Sequence, residues 1–131
     1  MIVIDASAAV EVLLRRSGAP KLEGRLFAGS EALHAPQLID LEIAQVLRRH
    51  ARRRELPVAR CDEALADWLA FPVWRHGHEL LLPRIWELRD TLTAYDAAYV
   101  ALAEALDAPL LTTDAKLARA PGHRARVEVV A

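Results

Sequence analysis

Short β-branched runs alternate with longer amphipathic stretches along this chain, and the alternation predicts most of its elements. Residues 1–4 form an apolar run that stops at Asp5, as a buried strand would. Residues 6–16 read as a helix broken by Ser17-Gly18-Ala19-Pro20, and residues 21–28 as a short helix closed by Gly29. A strand is predicted over 31–35. From Pro36, Leu38, Leu41, Ile43, Val46 and Leu47 recur at helical spacing before the basic end RRHARRR. Proline at the start and cations at the C-terminal end both suit a helix. Pro57 opens another, with Cys61, Leu65, Trp68 and Leu69 as its expected buried stripe. Residues 72–74 suggest a strand, followed by a turn at Gly77 and a helix over 79–88. Residues 93–106 are Ala-rich and apolar almost all round, which predicts a deeply packed helix. A strand over 109–112, a short helix over 114–120 and a strand over 126–130 complete the chain. Strands alternating with helices predict an α/β domain over 1–131, its mainly parallel sheet covered on both faces.

Composition narrows what such a domain can do. The 131 residues are 53% apolar and 27% charged, which is globular, and the net charge is −1. A near-neutral molecule has no bulk attraction for a polyanion, so nucleic-acid binding needs a local basic patch or bound cations. Cys61 is the sole cysteine, which excludes an internal disulfide and a thiolate zinc cluster. The N-terminus lacks a basic leader and carries Asp5 inside its apolar run, so it does not read as a signal peptide. No stretch reaches the ~18 uncharged apolar residues of a membrane span. The expectation is a soluble cytoplasmic protein with no membrane partner.

The candidate chemistry lies in acids at the carboxyl ends of predicted strands, where open α/β sheets bind ligands. Asp5 follows the first strand and Asp114 the fourth, while Asp96 and Glu42 lie near the starts of their helices. Each also fits a purely structural role, as a helix cap or as a complement to a helix N-terminus. Asp96, however, shares its helical face with Leu92, Tyr99, Val100 and Ala103, and Glu42 lies between Leu38 and Val46. A carboxylate on an apolar face needs a partner or a metal. Asp40, with Ile43 and Leu47 on its face, rivals Glu42. Positions two apart on a helix point about 200° apart, so only one joins the cluster, and periodicity does not choose. Oxygen-only ligands suit Mg²⁺, with Mn²⁺ a second fit, and such a site can hydrolyse a phosphodiester.

The segments IDAS (4–7), APQLIDLEI (35–43), TAYDAAYVALAEAL (93–106) and LLTTD (110–114) together resemble the PIN-domain family, and within it the VapC toxins of type II toxin–antitoxin pairs. The resemblance covers nearly the whole chain, in order. It implies a three-layer αβα fold around a sheet of about five strands. It further implies a Mg²⁺-dependent endoribonuclease that cuts RNA, a VapB-like antitoxin partner and a homodimer. Asp5, Glu42, Asp96 and Asp114 then take the four catalytic, metal-binding acidic positions, with Glu42 rather than Asp40 matching the family's third-helix acid. Ser7 and Thr113 match the hydroxyl positions that support them. Many relatives carry a further acid just after LLTTD, where Ala115, Lys116 and Leu117 stand here, so the implication is one tightly held Mg²⁺.

Other features are assigned structural roles. Arg48, Arg49, Arg52, Arg53 and Arg54 read as a solvated helix end. The five histidines show no metal spacing and read as non-catalytic. Trp68, Trp74 and Trp86 read as core. A dehalogenase-type phosphatase needs a second Asp where Ser7 stands, and a receiver domain needs an aspartate that 72–75 lacks. A PIN-like scaffold without catalysis is the remaining alternative, and it is expected to have lost some of the acids.

Overall fold

The computed structural model describes residues 1–130, so the domain expected over 1–131 runs one residue past them. Five parallel strands form one sheet in the order β3-β2-β1-β4-β5. They are β1 (Ile2–Ile4), β2 (Leu33–Pro36), β3 (Val73–His76), β4 (Leu110–Thr112) and β5 (Val127–Val129). The helices are α1 (Ala6–Leu13), α2 (Ala19–Phe27), α3 (Ile39–Arg52), α4 (Val58–Leu69), α5 (Leu82–Glu87), α6 (Ala94–Leu106) and α7 (Ala115–Arg119). A 3₁₀ turn over Glu79–Leu81 leads into α5. One group of helices joins α1 to α2, α3 and α4; α6 lies across β1, β2 and β4 with α5 beside it. This is the expected three-layer αβα arrangement.

All three residues of β1 are fully buried, because the strand is central and covered on both faces. From β1 the chain builds outward through β2 to β3, then returns to add β4 and β5 on the other side. The order therefore reverses between β1 and β4, and the crevice at such a reversal is where α/β sheets bind ligands. Asp5 and Asp114 follow those two strands.

Several boundaries and stripes differ from the sequence expectation. Pro36 is the last residue of β2 rather than the first of a helix. The Gln37 N–H donates to the His76 carbonyl (2.8 Å) and the Leu38 N–H to His78 Nε2 (3.1 Å), so α3 starts only at Ile39. The first helix stops at Leu13, not Arg16. Arg15 turns left-handed (φ 52°), and the Arg16 and Arg15 N–H groups close back on the Glu11 and Val12 carbonyls. Leu41 (76% exposed) and Leu69 (71%) lie outside the core, while Ile39 and Ala64 take the inward positions. Of the three tryptophans only Trp68 is core. Trp74 sits on an edge strand and Trp86 on the outer face of α5 beneath the Arg89 guanidinium.

Helix α6 carries two residues of the rim, so its anchoring matters. Residues 97–103 are all buried, and the four alanines among them (Ala97, Ala98, Ala101 and Ala103) let the helix approach the sheet closely. Near its end, Glu104 (side chain 2% exposed) accepts from Arg84 Nε (2.7 Å) and Nη2 (3.1 Å) and from the Arg124 N–H (2.8 Å). One carboxylate thus ties α6 to α5 and to the loop before β5. Glu104→Ala leaves those donors unpaired and is expected to cost about 1–3 kcal/mol, measured as a lower urea midpoint. An unchanged midpoint refutes the anchoring role.

Candidate metal-binding acidic rim

Asp5 leaves the carboxyl end of β1 buried, and its Oδ1 is fully engaged. It accepts from Ser7 Oγ (2.7 Å) and from the Ala8 N–H (3.0 Å), the latter making Asp5 the N-cap of α1. The structural reading of this residue, a helix cap, is therefore met by one oxygen. Ser7 Oγ also lies 3.2 Å from Thr112 Oγ1 and accepts from the Thr113 N–H (3.1 Å), stitching β1 to β4. The fully buried Thr112 hydroxyl then accepts from the Asp114 N–H (2.9 Å). Thr113, expected to lend its hydroxyl, lends its backbone instead; the working hydroxyl is Thr112, which the sequence reading passed over as a strand residue.

The rivalry on α3 is resolved by opposite partners. Asp40 turns toward α4 and β3, accepting from Trp68 Nε1 (2.7 Å) and Arg75 Nε (2.8 Å). The Arg75 guanidinium in turn lies 5.2 Å from the centre of the Trp68 ring. Glu42 turns the other way, and its Oε1 accepts from the buried Tyr99 hydroxyl of α6 (2.5 Å). Tyr99 read from sequence as one more apolar position; only its polar tip separates it from Val100, and no periodicity reports where that tip goes.

Asp96 sits in the first turn of α6, its N–H capped by Thr93 Oγ1 (3.1 Å). Asp114 caps α7, its Oδ1 accepting from the Lys116 N–H (2.9 Å). No basic residue near Asp96 in sequence could pair it, but Lys116 arrives from α7, with its Nζ 3.9 Å from Asp96 and 4.0 Å from Asp114.

Charge is concentrated here. Burial pushes the Asp5 carboxyl pKa up, against hydrogen bonds from Thr112, Ala8 and Ser7, and the nearby Asp96 charge adds to the rise. Burial likewise raises Glu42; the Tyr99 hydrogen bond opposes this, while Asp96 and Asp5 reinforce it. The three acids from β1, α3 and α6 therefore feel one another. The rim is open: among the described residues no three metal-ligating side chains are already drawn together as a cage. Mg²⁺ keeps several waters and binds through one or two carboxylates, so mutually repelling oxygen donors on an open rim fit that ion better than zinc.

A cleft of about 730 Å³ opens beside the rim, from Ser7, Glu42 and Thr113 toward Arg16, Arg49 and Arg53. Two arginines expected to be merely solvated thus face the same cleft as Glu42. Arg16 donates to His50 Nε2 (2.7 Å), so His50 carries its proton on Nδ1 and donates it to Glu55 (2.8 Å). That histidine holds an arginine in place.

Comparison with known proteins gives a consistent result. The PIN domain family model matches residues 2–123. Ribonuclease VapC9 of Mycobacterium tuberculosis is 47% identical over 117 residues, covering 89% of this chain and 88% of its own. Ribonuclease VapC12 of the same organism is 39% identical over 131 residues, all of both chains. Among solved structures, VapBC2 of Rickettsia felis bound to a promoter DNA fragment superposes with a TM-score of 0.73 over all of both chains, at 15% identity, which bears on the fold alone.

The raised carboxyl pKa values have a signed consequence. Asp5 holds its proton more tightly folded than unfolded, so its contribution is fully favourable below the ordinary carboxylate range and is lost as pH rises through the raised value. Asp5→Asn keeps a capping oxygen but removes the charge. Without metal, its melting temperature is expected to gain on the parent's as pH climbs through that window. A difference that does not vary with pH contradicts the assignment.

Proposed function

The chain belongs to the PIN-domain family, and from that premise we propose that it is the ribonuclease toxin of a VapBC-type pair, hydrolysing RNA phosphodiester bonds with Mg²⁺. The observation that carries the reading is the convergence of Asp5, Glu42 and Asp96 on one rim at the reversal point of the sheet, close enough that the Asp96 charge adds to the raised pKa of both Asp5 and Glu42. The names of the VapC relatives support the activity, and the VapBC neighbour supports a VapB-like antitoxin partner.

Asp5 and Asp96 would hold the ion, with Asp114 and Glu42 completing its surroundings directly or through water. Bound there, Mg²⁺ would supply positive charge to a phosphodiester and lower the pKa of water. The protein's own groups do the rest. Ser7 and the Ala8 N–H pin Oδ1 of Asp5 and so fix how the carboxylate is turned. Tyr99 occupies one oxygen of Glu42, so the second is available to orient water and take its proton, and burial makes this carboxylate a stronger base than usual. Water adds to phosphorus as the P–O bond to the leaving ribose oxygen breaks, and that oxygen takes a proton from solvent. Arg49 and Arg53 on the cleft supply the local cationic surface that a chain of net charge −1 needs to hold an RNA backbone. A homodimer is part of the proposal, and exposed Leu80, Leu82 and Trp86 are apolar side chains that a second copy could cover. Among the described residues no helix is long and apolar enough to cross a membrane, and the proposed place of action on RNA is the cytoplasm.

Cleavage of structured RNA by the purified protein is expected to stop with EDTA and resume with Mg²⁺, and Asp96→Asn is expected to lower it by about 10²-fold or more. Cleavage that ignores EDTA rejects the metal. Growth arrest on induction is expected to be relieved by Asp5→Ala, and an equally toxic variant removes catalysis from the account. Asp40→Asn, by contrast, is expected to lose about 1 kcal/mol of stability while cleavage persists; its inactivity would return Asp40 to the site.

A further inference from the structure

The LLTTD segment runs into α7 with a lysine, and the placement of that lysine has a consequence for metal stoichiometry. Resting on the metal-site reading above, we propose that the Lys116 ammonium takes the second cation position of the rim, so that the site takes one divalent ion and not two. Asp114 engages both of its oxygens with this one residue: Oδ1 accepts the Lys116 N–H at 2.9 Å and Oδ2 faces its Nζ at 4.0 Å. The same Nζ lies 3.9 Å from Oδ2 of Asp96, which comes from a different helix. A single cation is thus shared by two carboxylates, the arrangement a bridging metal would otherwise adopt.

The role is electrostatic rather than structural. At these distances the ammonium makes no hydrogen bond to either acid, and its side chain is 69% exposed, so the pairs contribute little to folding. The charge nevertheless stays within reach of both acids, because the cap that starts α7 fixes the backbone of Lys116 beside Asp114. Asp5 and Glu42 are not paired with any cationic side chain, so the rim is divided. Asp5, Glu42 and Oδ1 of Asp96 are left to hold a metal directly, with Asp114 reaching it only through water; Oδ2 of Asp96 and Oδ2 of Asp114 already face the ammonium. A second divalent ion between those two oxygens would have to sit against a tethered ammonium of like sign.

Isothermal titration of the full chain with Mn²⁺ tests this without reference to activity. The parent protein is expected to bind one ion per chain, Lys116→Arg one, and Lys116→Ala two, with the first ion held about two- to five-fold more tightly in Lys116→Ala, the size of an exposed ion pair. Thermal melts of the metal-free proteins check that the variants fold, which the exposure of this side chain favours. Two ions in the parent, or still one in folded Lys116→Ala, overturns the proposal. No ion bound by the parent or either variant overturns the metal reading itself, a result distinguishable from either.

Discussion

Carboxylates that repel one another must be held together by something other than their own attraction, and in this protein that constraint falls first on Asp5. Strand β1 is central and buried on both faces, so the residue that ends it is buried too. An unpaired carboxylate there would be costly. The cost is met locally: one oxygen caps α1 and takes the Ser7 hydroxyl, and Ser7 is itself held by the Thr113 N–H beyond β4. This small network closes the crevice between the two strands where the sheet order reverses. The remaining acids are arranged around it.

The other helices deliver their acids by the same means, a cap or a donor from a different element. Asp96 is set by Thr93, Asp114 by its own cap on α7, and Glu42 by Tyr99 reaching from α6 to α3. The start of α3 is in turn fastened by His76 and His78 through the backbone of Gln37 and Leu38. Two residues before Glu42, the opposite face of α3 is consumed by Asp40, Trp68 and Arg75, a packing cluster with no part in the rim. The two acids are chemically alike and nearly adjacent, and the helical turn between them separates scaffold from site.

Much of this was legible before the fold was known. The alternation of apolar runs, the breaker at 17–20 and the all-round apolar helix over 93–106 all lead to a parallel α/β sheet. The differences between spacing and structure are of one kind. Leu41 and Leu69 were placed inside, and Trp74 and Trp86 in the core, because helical or strand spacing marks a candidate face without showing what covers it. Pro36 was read as a helix start, whereas it closes a strand whose neighbour β3 accepts the next N–H. Arg49 and Arg53 read as solvated because a linear distance along α3 says nothing of the cleft it borders.

What the sequence determined by itself is the order of elements, the layer architecture and the delivery of Asp5 and Asp114 to neighbouring strand ends. These follow from local periodicity and from topology rules that hold for any parallel sheet. Family resemblance added Glu42 over Asp40. Only the tertiary structure decided who satisfies whom. Tyr99 on Glu42, Thr112 in place of the Thr113 hydroxyl, Arg75 on Asp40 and Lys116 between Asp96 and Asp114 are contacts across elements or across the bend of a cap. Hydrogen bonds and ion pairs act over a few ångströms, and the residues that come that close are set by packing rather than by spacing along the chain.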